Sequence, residues 1–386
     1  MKTLFLMLTA MLPLRATAKA GRYRLVACLA APCIVSAAVA AAASSMTSGQ
    51  SFNDPLLTPA STSSLAERTQ LTGIAAAGKR LVAVGRRGTI LMSTDEGKSW
   101  TQIPSPVSAD FTAIRFSDDE HGWIVGHDAV VLKTSNGGMT WERKLDGRDV
   151  LKLVSETYDA LARTGDASMA AIAEDARRAA AQSATPGVLP YPFLDVWFSN
   201  SREGFVAGAF GLLLQTTDGG ETWKPWIERT DNDRMNHIYA ISGTPENLYL
   251  AGEQGMLRRW DGTKNRFVKV DGPYEGSYFG MYARKDLLVV HGLRGNAYVS
   301  RDGGSQWQKV STGVMANIVA ALPGAGQDLL LVSQAGHVLV AADGATTVKD
   351  LKAKRTGEIY GAVAAGPRTI VTTGFNGVHT LAVPSF

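Results

Sequence analysis

The amino-acid sequence predicts an all-β fold, a seven-bladed β-propeller with four-stranded blades and a short helical insertion between blades 2 and 3. Two observations lead to this prediction. An octapeptide recurs at steps of about 41 residues or twice that number, and a Gly-x-x-Gly signal between two apolar segments recurs seven times. Internal repeats of this length are typical of architectures in which similar units pack side by side.

The octapeptide begins with a hydroxyl residue and has Asp or Asn third, glycine fifth and tryptophan eighth; its four well-preserved copies are 93–100, 134–141, 216–223 and 300–307. The third side chain can accept backbone N–H bonds across its own turn, the glycine allows a positive φ, and the tryptophan buries a large ring between blades. We therefore assign structural roles to Asp95, Trp100, Asn136, Trp141, Asp218, Trp223, Asp302 and Trp307.

The Gly-x-x-Gly signal marks the turn between the second and third strands of each unit. Alternating apolar residues bounded by Gly and Asp are the signature of strands and hairpins, and segments 111–116, 122–125, 130–134 and 141–144 illustrate one complete unit. The last unit, which ends at Phe386, has only three such segments. We expect residues 44–65 to supply its fourth strand and close the ring, so that residues 66–386 form a propeller without an unpaired edge.

Residues 149–185 interrupt the repeat. The step from Trp141 to Trp223 is twice the usual one, which leaves room for an eighth blade. However, this segment lacks glycine pairs and is rich in Ala, Leu, Met, Glu and Arg, which favour helices. Its apolar residues recur at helical spacing. We therefore predict two short helices rather than an eighth blade.

The first 43 residues have the composition of a secretory signal peptide. They contain five basic residues and no acidic one, and an apolar Ala-rich run follows Arg24. We expect export to the periplasm or the extracellular space; lipidation at Cys28 and a retained membrane anchor are the alternatives. Cys28 and Cys33, the two cysteines of the chain, both lie in this segment, so the remainder has no thiol chemistry.

The charge of the remaining chain argues against nucleic acid as a partner. Without the five basic residues of the first segment, 34 Lys and Arg face 35 Asp and Glu. A non-specific phosphate binder needs a surplus of cations.

In a propeller, the turns between second and third strands lie on the same face as the loops between blades and surround the mouth of the central channel. Aromatic residues and arginines are concentrated in protein interfaces. We therefore expect a partner-binding surface formed by Arg86, Arg87, His127, Asp128, Phe210, Glu253, Gln254, Arg294, Phe375 and Asn376. The loops between blades should add Tyr191, Phe193, Arg234, His237, Tyr274, Tyr278 and Phe279.

An enzymatic interpretation needs different residues. A glycosidase requires two carboxylates about 5–10 Å apart, and the acids that could approach the mouth are Asp110, Asp128, Asp195, Glu253, Glu275 and Glu358. A pair among these six stays open, as does binding of a glycan or small molecule. Three histidines, His127, His237 and His291, could meet near the channel, but solvated or hydrogen-bonded histidines are the more common outcome. We predict no catalytic residue, no metal and no cofactor.

The octapeptide resembles the Asp-box, or bacterial neuraminidase repeat. The chain is similar to the photosystem II stability/assembly factor family. The features that carry this resemblance are the octapeptides, the seven units, the segments 122–126 and 204–208 and the predicted export signal. The resemblance covers residues 66–386, except for the insertion. The resemblance implies a non-catalytic protein that assists assembly of membrane-protein complexes outside the cytoplasmic membrane. The arginine-rich patch of photosynthetic members is matched here only by Arg86, Arg87 and Arg294.

From these observations we expect a monomeric, exported propeller that binds a protein partner at or near the membrane without catalysis. The alternative is a secreted glycoside hydrolase or carbohydrate-binding propeller that uses carboxylates at the channel mouth.

Overall fold

The protein is represented by a computed structural model, which describes residues 53–284, 286–344 and 346–384. In these residues the chain forms seven antiparallel sheets, six of four strands and one of three. The first strand of each sheet contacts the first strands of both neighbouring sheets, and the seventh sheet contacts the first. The predicted seven-bladed propeller is confirmed. The predicted signal peptide, residues 1–43, lies outside the described residues.

Strands follow one another from the central channel outward within each blade. Blades 1 to 3 comprise β1 (Leu71–Ala77), β2 (Arg80–Gly85), β3 (Ile90–Ser93), β4 (Thr101–Ile103); β5 (Phe111–Phe116), β6 (Gly122–Gly126), β7 (Val131–Thr134), β8 (Glu142–Leu145); and β9 (Phe193–Phe198), β10 (Gly204–Gly208), β11 (Leu213–Thr216), β12 (Lys224–Pro225).

Blades 4 to 7 repeat this order. They comprise β13 (Ile238–Thr244), β14 (Asn247–Gly252), β15 (Leu257–Asp261), β16 (Arg266–Lys269); β17 (Tyr278–Arg284), β18 (Leu287–Gly292), β19 (Ala297–Ser300), β20 (Gln308–Lys309); β21 (Ile318–Pro323), β22 (Leu329–Ser333), β23 (Val338–Ala341), β24 (Lys349–Asp350); and β25 (Ile359–Gly366), β26 (Thr369–Gly374), β27 (Gly377–Ala382).

The octapeptides form the turns between third and fourth strands, on the face opposite the channel mouth. In the third copy, Thr216 Oγ1 accepts a hydrogen bond from the Gly220 N–H at 2.8 Å and donates one to Asp218 Oδ1 at 2.8 Å. Asp218 Oδ1 also accepts the Thr222 N–H at 2.9 Å, and Trp223 Nε1 donates to the Gly220 carbonyl at 3.1 Å. The other three copies repeat this pattern of bonds from hydroxyl to acid or amide and from tryptophan to glycine.

The octapeptide turns also link neighbouring blades. Trp123 of blade 2 donates through Nε1 to the Gly219 carbonyl in the turn of blade 3, at 3.2 Å. The Tyr249 hydroxyl of blade 4 donates in the same way to Gly303 of blade 5, also at 3.2 Å. These two turns therefore each offer a backbone carbonyl as the acceptor for the preceding blade.

The prediction that residues 44–65 supply a fourth strand to the last blade is not met by the part of this segment that the structure describes. Residues 53–65 form no strand, and 44–52 lie outside the described residues. The segment instead runs along blade 1: the Ala60 N–H donates to the Ser105 carbonyl at 3.1 Å and Ser63 N–H to Gln102 Oε1 at 2.8 Å. Within the described residues, the last blade has three strands. The Thr380 hydroxyl of β27 donates a hydrogen bond to the Gly97 carbonyl of blade 1 at 2.6 Å, which joins the last blade to the first.

The predicted insertion forms two helices between β8 and β9, α1 (Gly147–Thr164) and α2 (Ala170–Ala181). Asp146 caps α1: its carboxylate accepts the Arg148 N–H at 2.8 Å, while its own N–H donates to Asp149 at 3.1 Å. The two ends of the insertion meet, because Leu189 N–H donates to the Gly147 carbonyl at 3.1 Å. Neither helix has both the length and the hydropathy needed to span a membrane, in a search confined to the described part of the chain.

Replacing Asp218 with Ala should lower the free energy of unfolding by about 1–2 kcal/mol at pH 7, because the turn loses its acceptor. Partial burial opposes ionisation of this carboxyl, but the hydrogen bonds from Thr222 and Thr216 outweigh it and lower the pKa to about 2. Because the pKa of Asp218 is lower in the folded state than the unfolded-state value near 4, its carboxylate stabilises the fold fully above about pH 4. This stabilisation is lost as the pH falls through 2. The difference between the native protein and D218A should therefore shrink from pH 4 to pH 2.

Urea unfolding at pH 7, 4, 3 and 2 measures this difference. The control is Asp271→Ala, since the Asp271 side chain is 95% exposed. Equal destabilisation by both substitutions would contradict a role for the turn.

Candidate functional site

The turns between second and third strands, with the loops between blades, form one face, which we call the mouth face. In five of these turns the second residue of the pair has a left-handed backbone, with φ between 51 and 56°; these residues are Arg87, Asp128, Phe210, Gln254 and Arg294. The residue that follows each of them also has positive φ, as in a type I′ hairpin turn. The turn geometry therefore projects the same position of these five repeats from the mouth face.

Asp110 organises the turn of blade 1. Its carboxylate accepts the Arg87 N–H at 2.7 Å and pairs with Arg86 Nε at 3.1 Å. Arg86 and Arg87 both remain exposed. Asp110 therefore holds the turn in place and fixes one guanidinium, while the other extends into solvent.

The turn of blade 2 lies beside the start of α1. His127 is exposed and Asp128 is half-buried. Burial raises the pKa of the Asp128 carboxyl; His127 acts in the opposite direction, and the nearby carboxylate of Asp54 adds to the rise. Asp54 itself pairs with Arg148 in the first turn of α1.

Glu253 joins the turns of blades 3 and 4. It accepts the His237 N–H at 2.9 Å, and the Tyr239 hydroxyl lies 3.4 Å from its Oε1. His237 in turn accepts the backbone N–H of Phe210 at 3.2 Å. Gln254, the next residue, accepts from Arg234 at 3.5 Å.

The turns of blades 5 and 7 complete the predicted surface. The Arg294 backbone N–H donates to Asn317 Oδ1 at 3.0 Å. Phe375 is 59% exposed, and Asn376 beside it is exposed as well. All ten predicted residues thus lie on the mouth face; their role in binding stays a prediction.

Five aromatic side chains form a continuous row across part of this face, which we call the aromatic row. Successive ring centroids are 4.4 Å apart from Tyr191 to Phe210, 4.7 Å to His237, 6.0 Å to Tyr239 and 5.7 Å to Phe279. The last two rings line the central channel. Sequence analysis named four of the five residues, but their contacts depend on the meeting of three blades.

First strands line the central channel, which has a volume of about 410 Å³. Several of its polar groups bind the next blade: Thr72 donates to the Phe111 carbonyl at 2.7 Å, and Thr112 to the Phe193 carbonyl at 2.6 Å. Asp195 is buried, which raises the pKa of its carboxyl; it accepts the Ile241 N–H at 3.0 Å and lies 3.7 Å from Arg115. These groups hold adjacent blades together.

Several of the side chains considered for catalysis or metal binding are hydrogen-bonded within the protein. Of the six candidate acids, Asp110, Asp195 and Glu253 accept the loop and blade hydrogen bonds described above, and Glu358 accepts from the Tyr360 hydroxyl at 3.0 Å. His291 is buried, which lowers the pKa of its imidazole to about 4, and its Nδ1 lies 3.0 Å from the Ile318 carbonyl. No group of three His, Cys, Asp or Glu side chains in the described residues is arranged to hold a metal ion.

Two residues that we expected in the mouth loops belong to the core instead. Phe193 and Tyr278 are 0% and 1% exposed, because each begins the first strand of its blade and points between blades. Tyr191, two residues before Phe193, remains at the surface.

Sequence analysis did not predict a pocket of about 500 Å³ between α2 and blade 3, which we call the insertion pocket. Its α2 wall includes Ala176 and Ala179, and its opposite wall includes Leu212 and Ile227. Tyr191 and Phe210 connect it to the aromatic row. Part of the α2 wall consists of alanines, whose short side chains leave room for the pocket.

Tyr158 anchors α1 to the propeller. Its ring is 0% exposed, its hydroxyl donates to Glu228 Oε2 at 2.6 Å and the hydroxyl oxygen accepts the Ile227 N–H at 2.9 Å. Burial and the neighbouring Glu228 carboxylate raise the pKa of Tyr158 well above its usual value. This contact holds one wall of the insertion pocket against the other.

Comparison with known proteins matches residues 99–160 and 188–308 to the family described as photosynthesis system II assembly factor YCF48. The interval between the two matched segments contains α2. The photosystem II assembly lipoprotein Ycf48 of Picosynechococcus is 28% identical over 154 residues, 36% of this chain and 43% of that protein. The chloroplastic photosystem II stability/assembly factor HCF136 of Arabidopsis thaliana is 24% identical over 273 residues, 61% and 66% of the two chains.

Neither alignment reaches two thirds of the relative's own length. Among solved structures, one described as YCF48 bound to D1 peptide covers 83% of this chain and 95% of its own, with a TM-score of 0.58 and 14% identity. At this identity the likeness establishes the fold.

Replacing Tyr158 with Phe should lower the free energy of unfolding by about 1–3 kcal/mol, because Glu228 and the Ile227 N–H lose their buried partner. Hydrogen–deuterium exchange should rise in α1 and α2 more than in the blades, since the insertion loses its polar anchor. Tyr282→Phe in the channel is the matched control. Unchanged exchange in both helices would show that apolar packing alone holds the insertion.

Proposed function

Because the chain is a member of the photosystem II assembly factor-like family of seven-bladed propellers, we propose that it binds a protein partner through its mouth face and assists assembly of a membrane-protein complex. The protein acts by binding, without catalysis. The partner contributes a peptide segment that lies outside the membrane.

The observation that carries this proposal is the choice of side chains at the left-handed positions of the turns. A left-handed backbone costs an L-residue about 1–2 kcal/mol, and hairpin turns of this type favour Asn, Asp or Gly there. At four of the five positions this chain instead places Arg87, Phe210, Gln254 and Arg294, and only the fifth, Asp128, is of a favoured type. Backbone strain tolerated at one repeated surface position supports a role in function.

Two further observations favour a peptide from a membrane protein. A protein with the same fold has been solved as YCF48 bound to D1 peptide. Related Ycf48 proteins are described as photosystem II assembly lipoproteins. An exported, membrane-associated location for this chain agrees with the basic and apolar composition of residues 1–43.

Photo-crosslinking to membranes of the source organism tests the proposal. Replacing Phe375 with p-benzoylphenylalanine places the crosslinker on the mouth face. The matched control carries the same residue in place of Met139, which has similar exposure and lies in an octapeptide turn on the opposite face. We expect subunits of one membrane complex to be captured from Phe375 only. Equal capture from both positions, or capture of glycans instead of proteins, would contradict the proposal.

The double substitution Arg86→Glu and Arg87→Glu should reduce capture from Phe375, and affinity for a D1 peptide, by at least about tenfold. The melting temperature should stay within about 2 °C, because both side chains are exposed and an exposed ion pair contributes little. Lys79→Glu with Lys98→Glu makes the same charge change on the opposite face of blade 1. Retained affinity in the mouth-face variant would move the binding surface away from blade 1.

A further inference from the structure

We propose that the insertion pocket receives an aliphatic or aromatic side chain of the partner's peptide, whose backbone continues along the aromatic row toward the channel. This inference rests on the proposed function and names the chemistry of the partner. It assigns a specific site to α2, the part of the insertion that lies between the two segments matched to the family.

The lining of the pocket is complementary to an uncharged, apolar group. Its walls are formed mainly by Ile172, Ala176, Ala179, Leu212, Ile227 and Met235. The two charged residues at its edge, Asp175 and Arg178, pair with each other at 3.2 Å. A charged ligand would therefore compete with an existing ion pair for its counter-charge, whereas an apolar side chain gains burial without disturbing that pair.

The pocket is large enough for one apolar side chain of any size. At about 500 Å³ it falls within the range of sites that bury a ligand group, and it is larger than the gaps between well-packed side chains. Alanines at the inward face of α2 create this space, since a larger residue at Ala179 would occupy it.

The aromatic row explains why the occupant belongs to a peptide rather than to a lipid chain. From Tyr191 in the pocket wall to Tyr239, where it reaches the channel, the row has the length of about four extended residues. Polar groups accompany its rings: His237, the Tyr239 hydroxyl and Glu253. A peptide backbone has hydrogen-bonding groups for these side chains, whereas an acyl chain has none.

Two substitutions in α2 separate the pocket from the rest of the helix. Ala179→Phe places a ring in the pocket and should block it. Ala171→Phe adds the same ring at an exposed position of α2 that does not line the pocket. Phe210→Ser is the second pocket variant: this residue is 44% exposed, so the change tests the site even where A179F fails to fold.

The test uses peptides selected on the native protein from a phage-displayed library of random 12-residue sequences. We expect the selected peptides to share one Leu, Ile, Phe or Met, and fluorescence anisotropy to give a Kd at least about tenfold higher for A179F and F210S than for A171F. Replacing the shared apolar residue with Ser should weaken binding to the native protein as much, and should have little further effect on A179F.

Equal affinity of the selected peptides for native protein, A179F and F210S would overturn the pocket assignment and leave the proposed function intact, with binding elsewhere on the mouth face. Failure to select any peptide would overturn the pocket assignment, while crosslinking from Phe375 decides the proposed function separately. A lipid or other small apolar molecule seen by native mass spectrometry in the purified native protein, and lost in A179F, would also overturn it.

Discussion

Each blade can remove its apolar faces from water only by packing against both neighbours, so the stability of every blade depends on closure of the ring. The structure reinforces this packing with hydrogen bonds that cross from one blade to the next. Near the channel, Thr72 and Thr112 reach carbonyls of the following first strand. At the periphery, Trp123 and Tyr249 reach carbonyls in the next octapeptide turn.

The same arrangement separates the roles of the two faces. On the face opposite the mouth, glycines take seven of the eight positive φ values in the four octapeptide turns, Glu96 being the exception, and the side chains of each turn bond within the turn. On the mouth face, residues such as Arg87 and Phe210 take a left-handed conformation that their side chains disfavour. The octapeptide turns thus repeat one set of side-chain bonds, whereas the mouth-face turns carry a different residue pair in each blade.

Sequence patterns predicted the repeating part of the molecule well, because periodic signals reflect local structure. In blade 2, the expected segments 122–125 and 130–134 correspond to β6 and β7 within one residue at each end. The helix-forming composition of 149–185 likewise predicted α1 and α2. The position of the mouth residues followed from topology alone once seven units had been recognised.

Features that depend on packing between distant segments could not be predicted. No local pattern indicates that 53–65 runs beside blade 1 instead of pairing with β27, since its contact partners lie about 40 residues away in the sequence. Phe193 and Tyr278 looked like loop aromatics because they lie at the boundary between loop and strand. The insertion pocket depends on the distance between α2 and Leu212, and the alanines that create it also fit an ordinary solvent-exposed helix.

The meeting of the two ends of the insertion, where the Leu189 N–H binds the Gly147 carbonyl, has a consequence for how such proteins diversify. Segments whose ends lie close together can be gained, lost or exchanged without separating the elements that flank them. An insert of different length at this junction would therefore leave the packing of blade 2 against blade 3 unchanged.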